Sequence, residues 1–212
     1  VQPHRGGVMA PAAGPFGPWR FGPVTVWQRP HVPGQRGEPQ AREVLAQALG
    51  GDPMAIPLVR DPRGRPSLAG ALAAHEAGWS HSGDVLLVAL GEGVRLGVDL
   101  ELVRPRPRMR EIVQRFFHPA EIAWLQPLDE ATFAHWFFRL WCAKEAILKA
   151  DGQGISFGLH RLQLMAGPAG ALEMAWCDEA LGPAARWHLH EWQASDRFRA
   201  ALAWHRRSEA PI

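Results

Sequence analysis

An α+β fold with antiparallel pairing is what this 212-residue sequence predicts. Three observations carry the prediction. Short strand-like runs follow one another with turn residues between them. One long helical pattern covers 130–150. Hairpin signals are more evident than the strand–helix–strand units of a parallel sheet.

The elements read as follows. Residues 1–40 are rich in Pro, Gly and Arg, which excludes long regular structure there. Within them VTVW, 24–27, suits a strand. QAREVLAQAL, 40–49, is a helix closed by Gly50 and Gly51. DPRGRP, 61–66, is turn chemistry, and 68–78 reads as a short helix or a loop. DVLLVAL, 84–90, and VRLGVDLELV, 94–103, read as a hairpin joined by Gly91-Glu92-Gly93. In the second strand Val94, Leu96, Val98, Leu100 and Leu102 share one face. Arg95, Gly97, Asp99 and Glu101 share the other. RPRPRMR, 104–110, is an extended basic link. Helix follows over 111–117, and His118-Pro119 opens another, with Glu121 placed as a capping carboxylate. In 130–150 Phe133, Phe137, Leu140, Trp141, Ile147 and Leu148 form a broad apolar stripe. LHRLQLM, ALEMAWC, ARWHLHEWQ and FRAALAWH then read as strands.

Composition narrows the function classes. Hydrophobic residues are 47% and charged residues 21%, the profile of a soluble globular protein. A net charge of +2 does not suit a polyelectrolyte that wraps nucleic acid. No apolar run approaches the roughly 18 residues of a membrane span, and no secretory signal is evident. Two cysteines, Cys142 and Cys177, suit a reducing compartment, so a cytoplasmic protein is expected. Of 23 basic residues only Lys144 and Lys149 are lysines.

Four constellations could carry chemistry. Asp99 and Glu101, two apart on a strand, point the same way with alpha carbons about 6.6 Å apart. Such a pair suits a hard cation such as Mg²⁺, or is a solvated strand face. In WCAKEAILKADGQG, 141–154, Trp141, Glu145 and Lys149 fall in one row at i, i+4. That is an ordinary surface pair, or a site where a compact ammonium is needed against a phosphate oxygen. Ser80-His81-Ser82-Gly83, at the entrance to a strand, is a polar turn that could hold a phosphate. Gly64-Arg65-Pro66, with Arg42 upstream, supplies further cations.

In order, GRP at 64–66, SHSG at 80–83, GVDLE at 97–101, FFHPAE at 116–121 and WCAKEAILKADGQG at 141–154 resemble the 4′-phosphopantetheinyl transferase family of the surfactin-synthetase-activating type. The last motif is its W-x-x-K-E-A variant. The resemblance is good over roughly 40–165. It implies a pseudo-dimer of two similar α+β halves, 1–103 and 104–212, with the active site in the cleft between them. It implies transfer of the phosphopantetheine arm of coenzyme A to a serine of an apo acyl or peptidyl carrier protein, with release of adenosine 3′,5′-bisphosphate. Asp99, Glu101 and Glu145 match its Mg²⁺ ligands, and Lys149 the lysine on the pyrophosphate. His81 and Arg42 match positions on the 3′-phosphate, and Gly64, Arg65 and Pro66 the stretch along the adenine, with Ser80 beside it. Glu145 is the first choice for the base that takes the serine proton, with Glu101 or a metal-activated water as alternatives. Catalytic roles thus fall to Glu145, Lys149 and Glu101. Where family members use lysines around the 3′-phosphate, Arg36, Arg42 and Arg65 must substitute.

A monomer is expected, with no nucleic-acid or membrane partner. The alternative is a non-catalytic coenzyme A- or carrier-binding module of the same fold. A third reading, a pyrophosphohydrolase, would turn over coenzyme A without a carrier.

Overall fold

One element order runs twice along the chain in the computed structural model, which describes residues 17–207. Residues 1–16, the first part of the Pro- and Gly-rich stretch, and 208–212 lie outside the described residues. After an edge strand β1 (Trp19–Phe21), the first run is strand β2 (Val24–Pro30) and helix α1 (Glu38–Leu49). A small hairpin follows, β3 (Leu58–Arg60) and β4 (Pro66–Leu68). Strands β5 (His75–Ser82) and β6 (Val85–Glu92) close the run. The second run begins with β7 (Val94–Leu102) and helices α2 (Met109–Phe116), α3 (Pro119–Leu125) and α4 (Glu130–Asp151). The small hairpin β8 (Leu162–Ala166) and β9 (Leu172–Cys177) comes next, then β10 (His188–Ser195) and β11 (Phe198–Arg206).

The sheets repeat too. Strand order is β1-β2-β6-β5 in one and β10-β11-β7 in the other, with every pair antiparallel. The order β2-β6-β5 in the first half is therefore β7-β11-β10 in the second. This is the α+β, antiparallel architecture that the sequence predicts, in the two similar halves that the resemblance implies. The hydrogen bonds of β7 go to β11, with Asp99 opposite Ala201 and Glu101 opposite Arg199. A division at 103/104 leaves this strand with the first half; we propose Gly93, where the element order restarts, as the joint.

Three readings in this region are corrected. Residues 84–90 and 94–103 are not a hairpin with each other, because β6 and β7 belong to different sheets. The hairpin is β5–β6, with Ser82 opposite Val85 and Gly83 at φ 55° in the tight turn between them. Ser80-His81-Ser82 is accordingly the end of a strand rather than a turn at the entrance to one. The small apolar run 68–78, read as helix or loop, divides into a single 3₁₀ turn at 70–72 and the start of β5 at His75. Ala and Gly offer no alternation by which to see that strand.

Apolar burial explains how the halves meet. Val26 and Leu87 of the first sheet pack with Val98, Leu100, Leu202 and Trp204 of the second in one buried cluster. Helix α1 covers the outer face of the first sheet through Val44 and Leu45. Helix α4 starts at Asp129, whose Oδ1 accepts from the N–H of Ala131 and Thr132 at 3.0 Å, and stops at Gly152, φ 88°. Its core face is wider than the stripe in the sequence, since Phe138, Ala143 and Ala146 are buried as well.

Gly97 sets how closely α4 lies on β7. A Cβ there would stand 2.2 Å from Ala146 O and 2.4 Å from Ala150 N, both helix backbone. Gly97→Ala should therefore destabilise the protein by about 1–3 kcal/mol or more, because backbone cannot step aside as a side-chain tip can. Urea denaturation checks this, and an unchanged midpoint would contradict the packing.

Candidate active site

The close approach at Gly97 brings two rows of polar side chains face to face. Along α4 run Trp141, Glu145 and Lys149; along β7 run Glu101, Asp99 and Gly97. Asp99 is buried and paired. Its Oδ1 accepts from Lys149 Nζ at 2.5 Å and from Ser80 Oγ at 3.0 Å. Lys149 Nζ also donates to Ser80 Oγ at 3.1 Å and to Val98 O at 3.4 Å. Two of the sequence-predicted residues, Ser80 of β5 and Asp99 of β7, thus converge on the ammonium of a third, Lys149 of α4.

The second lysine lies elsewhere. Lys144 Nζ donates to Leu159 O at 2.8 Å and Leu162 O at 2.5 Å and pairs with Glu121 at 2.8 Å, fully buried on the far side of α4. Three acceptors around one small ammonium explain a lysine there without catalysis. Glu121 also accepts from the N–H of His118, the helix cap expected of it, and from that of Leu164.

The carboxylates are under-compensated. Burial, then the negative charges of Asp99 and Glu101, push Glu145 up to about 7, against the pull of Lys149. Burial and Asp99 also raise Glu101, opposed by Arg106 and a hydrogen bond from Trp141. Burial works against the Lys149 ammonium, yet Asp99 and Glu145 outweigh it and hold its pKa above the ordinary value. Asp99 Oδ2 and Glu145 Oε1 are both buried without a hydrogen-bond partner. Two orphaned anionic oxygens beside like charges fit a hard dication. Among the described residues no three His, Cys, Asp or Glu side chains already converge on such a point, and the Glu101 carboxylate faces Arg106 instead.

A cleft of about 420 Å³ opens beside Lys149, between the halves. Its first-half wall is Arg60, Arg63, Gly64, Arg65, Pro66 and Trp79; its second-half wall is Gly97, Lys149, Gly152 and Gly154. Four of the sequence-predicted residues therefore line one space: Gly64, Arg65, Pro66 and Lys149. Asp99, Glu101, Glu145, Ser80, His81 and Arg42 are not among its lining. Asp99 and Ser80 adjoin it through Lys149.

The remaining predicted cations have protein partners. Arg65 pairs with the fully buried Glu76, which Arg207 also holds, and donates from Nε to Lys149 O at 3.0 Å across the cleft. Arg42 donates to Glu38 at 3.0 Å and to Ile56 O at 3.0 Å. His81, at the outer end of β5, lies against His31 with ring centroids 4.4 Å apart and the planes tilted by 34°. Burial, His31 and Lys149 lower its pKa.

The basic segment 104–110 is not a row of free arginines. Arg106 pairs with Glu101 and lies over the Phe138 ring; Arg110 pairs with Glu130 and donates to Leu128 O at 2.9 Å. Sequence reasoning missed Arg106 as the partner of Glu101, Glu76 as the anchor of Arg65, and Arg60, Arg63 and Trp79 as cleft walls. Trp79, one residue before Ser80, and Arg63, one residue before Gly64, lay close enough to a motif to be found.

The model of the 4′-phosphopantetheinyl transferase superfamily matches residues 95–203, from β7 through α4 to β11. The chain belongs to this superfamily. Among relatives, it is 36% identical over 124 residues to the Synechocystis sp. protein slr0495, with 57% of this chain and 50% of that one covered. It is 32% identical over 166 residues to the 4′-phosphopantetheinyl transferase HetI of Nostoc sp., with 76% and 66% covered. Against the 4′-phosphopantetheinyl transferase Sfp of Bacillus subtilis the figures are 29% over 123 residues, 58% and 53%. The chain thus spans between half and two thirds of the length of these superfamily relatives. The holo-[acyl-carrier-protein] synthase structure from Thermotoga maritima superposes with a TM-score of 0.44 at 18% identity, covering 53% of this chain and 63% of that one. Among the described residues no helix is long and apolar enough to cross a membrane.

Proposed function

We propose that this chain transfers the 4′-phosphopantetheine arm of coenzyme A to a serine of an apo acyl or peptidyl carrier protein and releases adenosine 3′,5′-bisphosphate. One observation carries the proposal. A cleft lined with Arg60, Arg63 and Arg65 leads to Lys149, and Lys149 touches the buried Asp99 beside Glu145. A nucleotide in the cleft would place its pyrophosphate at that ammonium.

Lys149 would neutralise charge on the pyrophosphate oxygens and on the leaving bisphosphate. Ser80 and Asp99 hold its Nζ in place before substrate arrives. The residues that would hold Mg²⁺ are Asp99 and Glu145, through their unpartnered oxygens, with Glu101 as a third ligand once Arg106 leaves it. Bound there, the ion would screen the repulsion among the carboxylates and add positive charge beside the pyrophosphate. Glu145 is the acceptor we assign for the serine proton, at its carboxylate, directly or through a water. His81 would reach the 3′-phosphate. Arg42 and Arg65, held by Glu38 and Glu76, would act there only by exchanging those partners. The walls at Gly64 and Pro66 would flank the adenine. The free Cys142 and Cys177 and the presence of both halves in one chain support a cytoplasmic, monomeric enzyme.

Two experiments test the assignment. Release of adenosine 3′,5′-bisphosphate from coenzyme A should require both an apo carrier and Mg²⁺; release without a carrier would favour a hydrolase. Lys149→Arg should lower kcat by about a hundredfold or more despite its conserved charge. The ammonium sits between Asp99 Oδ1, Ser80 Oγ and Val98 O, a space a planar guanidinium does not match. Near-native turnover would contradict it.

A further inference from the structure

A pair of histidines at the outer end of the first sheet remains once the carboxylates and the cleft are accounted for. His31 follows β2, with its N–H donated to Asp84 O at 2.8 Å, and is 5% exposed. Gln40, in the first turn of α1, donates from Nε2 to Pro30 O at 2.8 Å, which turns its Oε1 toward His31 Nδ1, also at 2.8 Å. That network assigns the ring proton to Nδ1. Nε2 is then a bare acceptor, buried and without a partner. The ring plane is fixed from below by a side chain that is itself fixed.

His81 rests on this ring, with centroids 4.4 Å apart and planes 34° apart. Gly37 also adjoins the ring, since a Cβ there would come within 3.2 Å of His81 Cδ2. Gly37 is also the N-cap of α1, and no side chain caps that helix. The exposed imidazole therefore lies against a fixed ring and beside the N-terminus of α1, where Glu38 supplies a negative charge in the first turn.

We propose that His31 is a positioning residue that fixes the His81 ring against a phosphate monoester, and so sets the preference for coenzyme A over dephospho-coenzyme A. The inference rests on the reading of His81 in the preceding subsection. An imidazole free to turn in water loses that freedom on binding; one already clamped does not. His31 contributes by contact with His81 rather than with the ligand, and Gln40 contributes by holding His31.

Calorimetry with coenzyme A and with dephospho-coenzyme A, each without a carrier, tests this. Wild type should favour coenzyme A by about tenfold or more. His31→Ala should bring the ratio down to that of His81→Ala, and His31→Ala/His81→Ala should fall no lower. Gln40→Ala frees the His31 ring, and His31→Phe keeps the aromatic face but loses the bond to Gln40, so each should lose part of the ratio and keep part of it. A wild-type ratio in both His31→Ala and Gln40→Ala overturns the inference, and so does a double variant lower than His81→Ala alone. If His31→Ala does not fold, Gln40→Ala and His31→Phe decide it alone. Failure of wild type to bind coenzyme A at all would instead overturn the proposed function.

Discussion

Asp99→Asn should lower phosphopantetheine transfer by about a hundredfold at least, and nearly all of the loss should be in kcat. Asp99 has two tasks on this account. Its Oδ1 holds Lys149 at 2.5 Å, and its Oδ2 is an unpartnered anionic oxygen suited to a metal. Asparagine keeps the shape and removes the charge, so both tasks fail together while the fold stands. On the proposed reading the nucleotide contacts would come from the cleft walls, so the Michaelis constant for coenzyme A should move little. Full activity in Asp99→Asn, or activity indifferent to EDTA, would remove the metal-binding role.

The second large effect is on stability. Glu145 has an ordinary pKa of 4.5 and is pushed up to about 7 in the folded protein by burial and by Asp99 and Glu101. Between those values the folded chain binds a proton that the unfolded chain has released. The stability this group contributes is complete below about 4.5 and is lost as pH rises through about 7. Above that, the ionised carboxylate costs about 3 kcal/mol, because each tenfold change in proton affinity is worth about 1.4 kcal/mol. Glu145→Gln does not titrate. In metal-free protein the variant should therefore become progressively more stable than wild type from pH 5 to pH 8. Added Mg²⁺ should stabilise wild type and close the gap. Urea denaturation at pH 5, 6 and 8, with and without Mg²⁺, measures this. A difference that does not change with pH would show that Glu145 is already compensated by its neighbours.

The sequence made the central pairing legible because periodicity governs it. Two-residue spacing put Asp99 and Glu101 on one strand face, four-residue spacing put Trp141, Glu145 and Lys149 on one helix face, and Gly97 allowed the faces to touch. The paucity of lysine pointed to Lys149, but it pointed equally to Lys144, whose need for a compact charge is met by two carbonyls and Glu121. Local pattern could not show which strands pair. Gly91-Glu92-Gly93 has hairpin composition, yet it carries the chain from one sheet to the other, because Val94 and Leu96 are buried in the cluster between the halves. Nor could it show partners distant in sequence. Arg65 is read as a free cation until Glu76 is found beside it, and Arg106 as part of an extended basic link until it is found on Glu101. A run of arginines says nothing of which carboxylates fold back to meet them.

Intact mass spectrometry of an apo carrier protein tests the account most directly, after incubation with coenzyme A, Mg²⁺ and either wild type or Asp99→Asn. The account predicts that wild type adds the mass of one phosphopantetheine arm to the carrier, and that Asp99→Asn leaves it unmodified under the same conditions. Equal modification by both chains would contradict the placement of the chemistry at Asp99, and no modification of any acyl or peptidyl carrier by wild type would contradict the transfer itself.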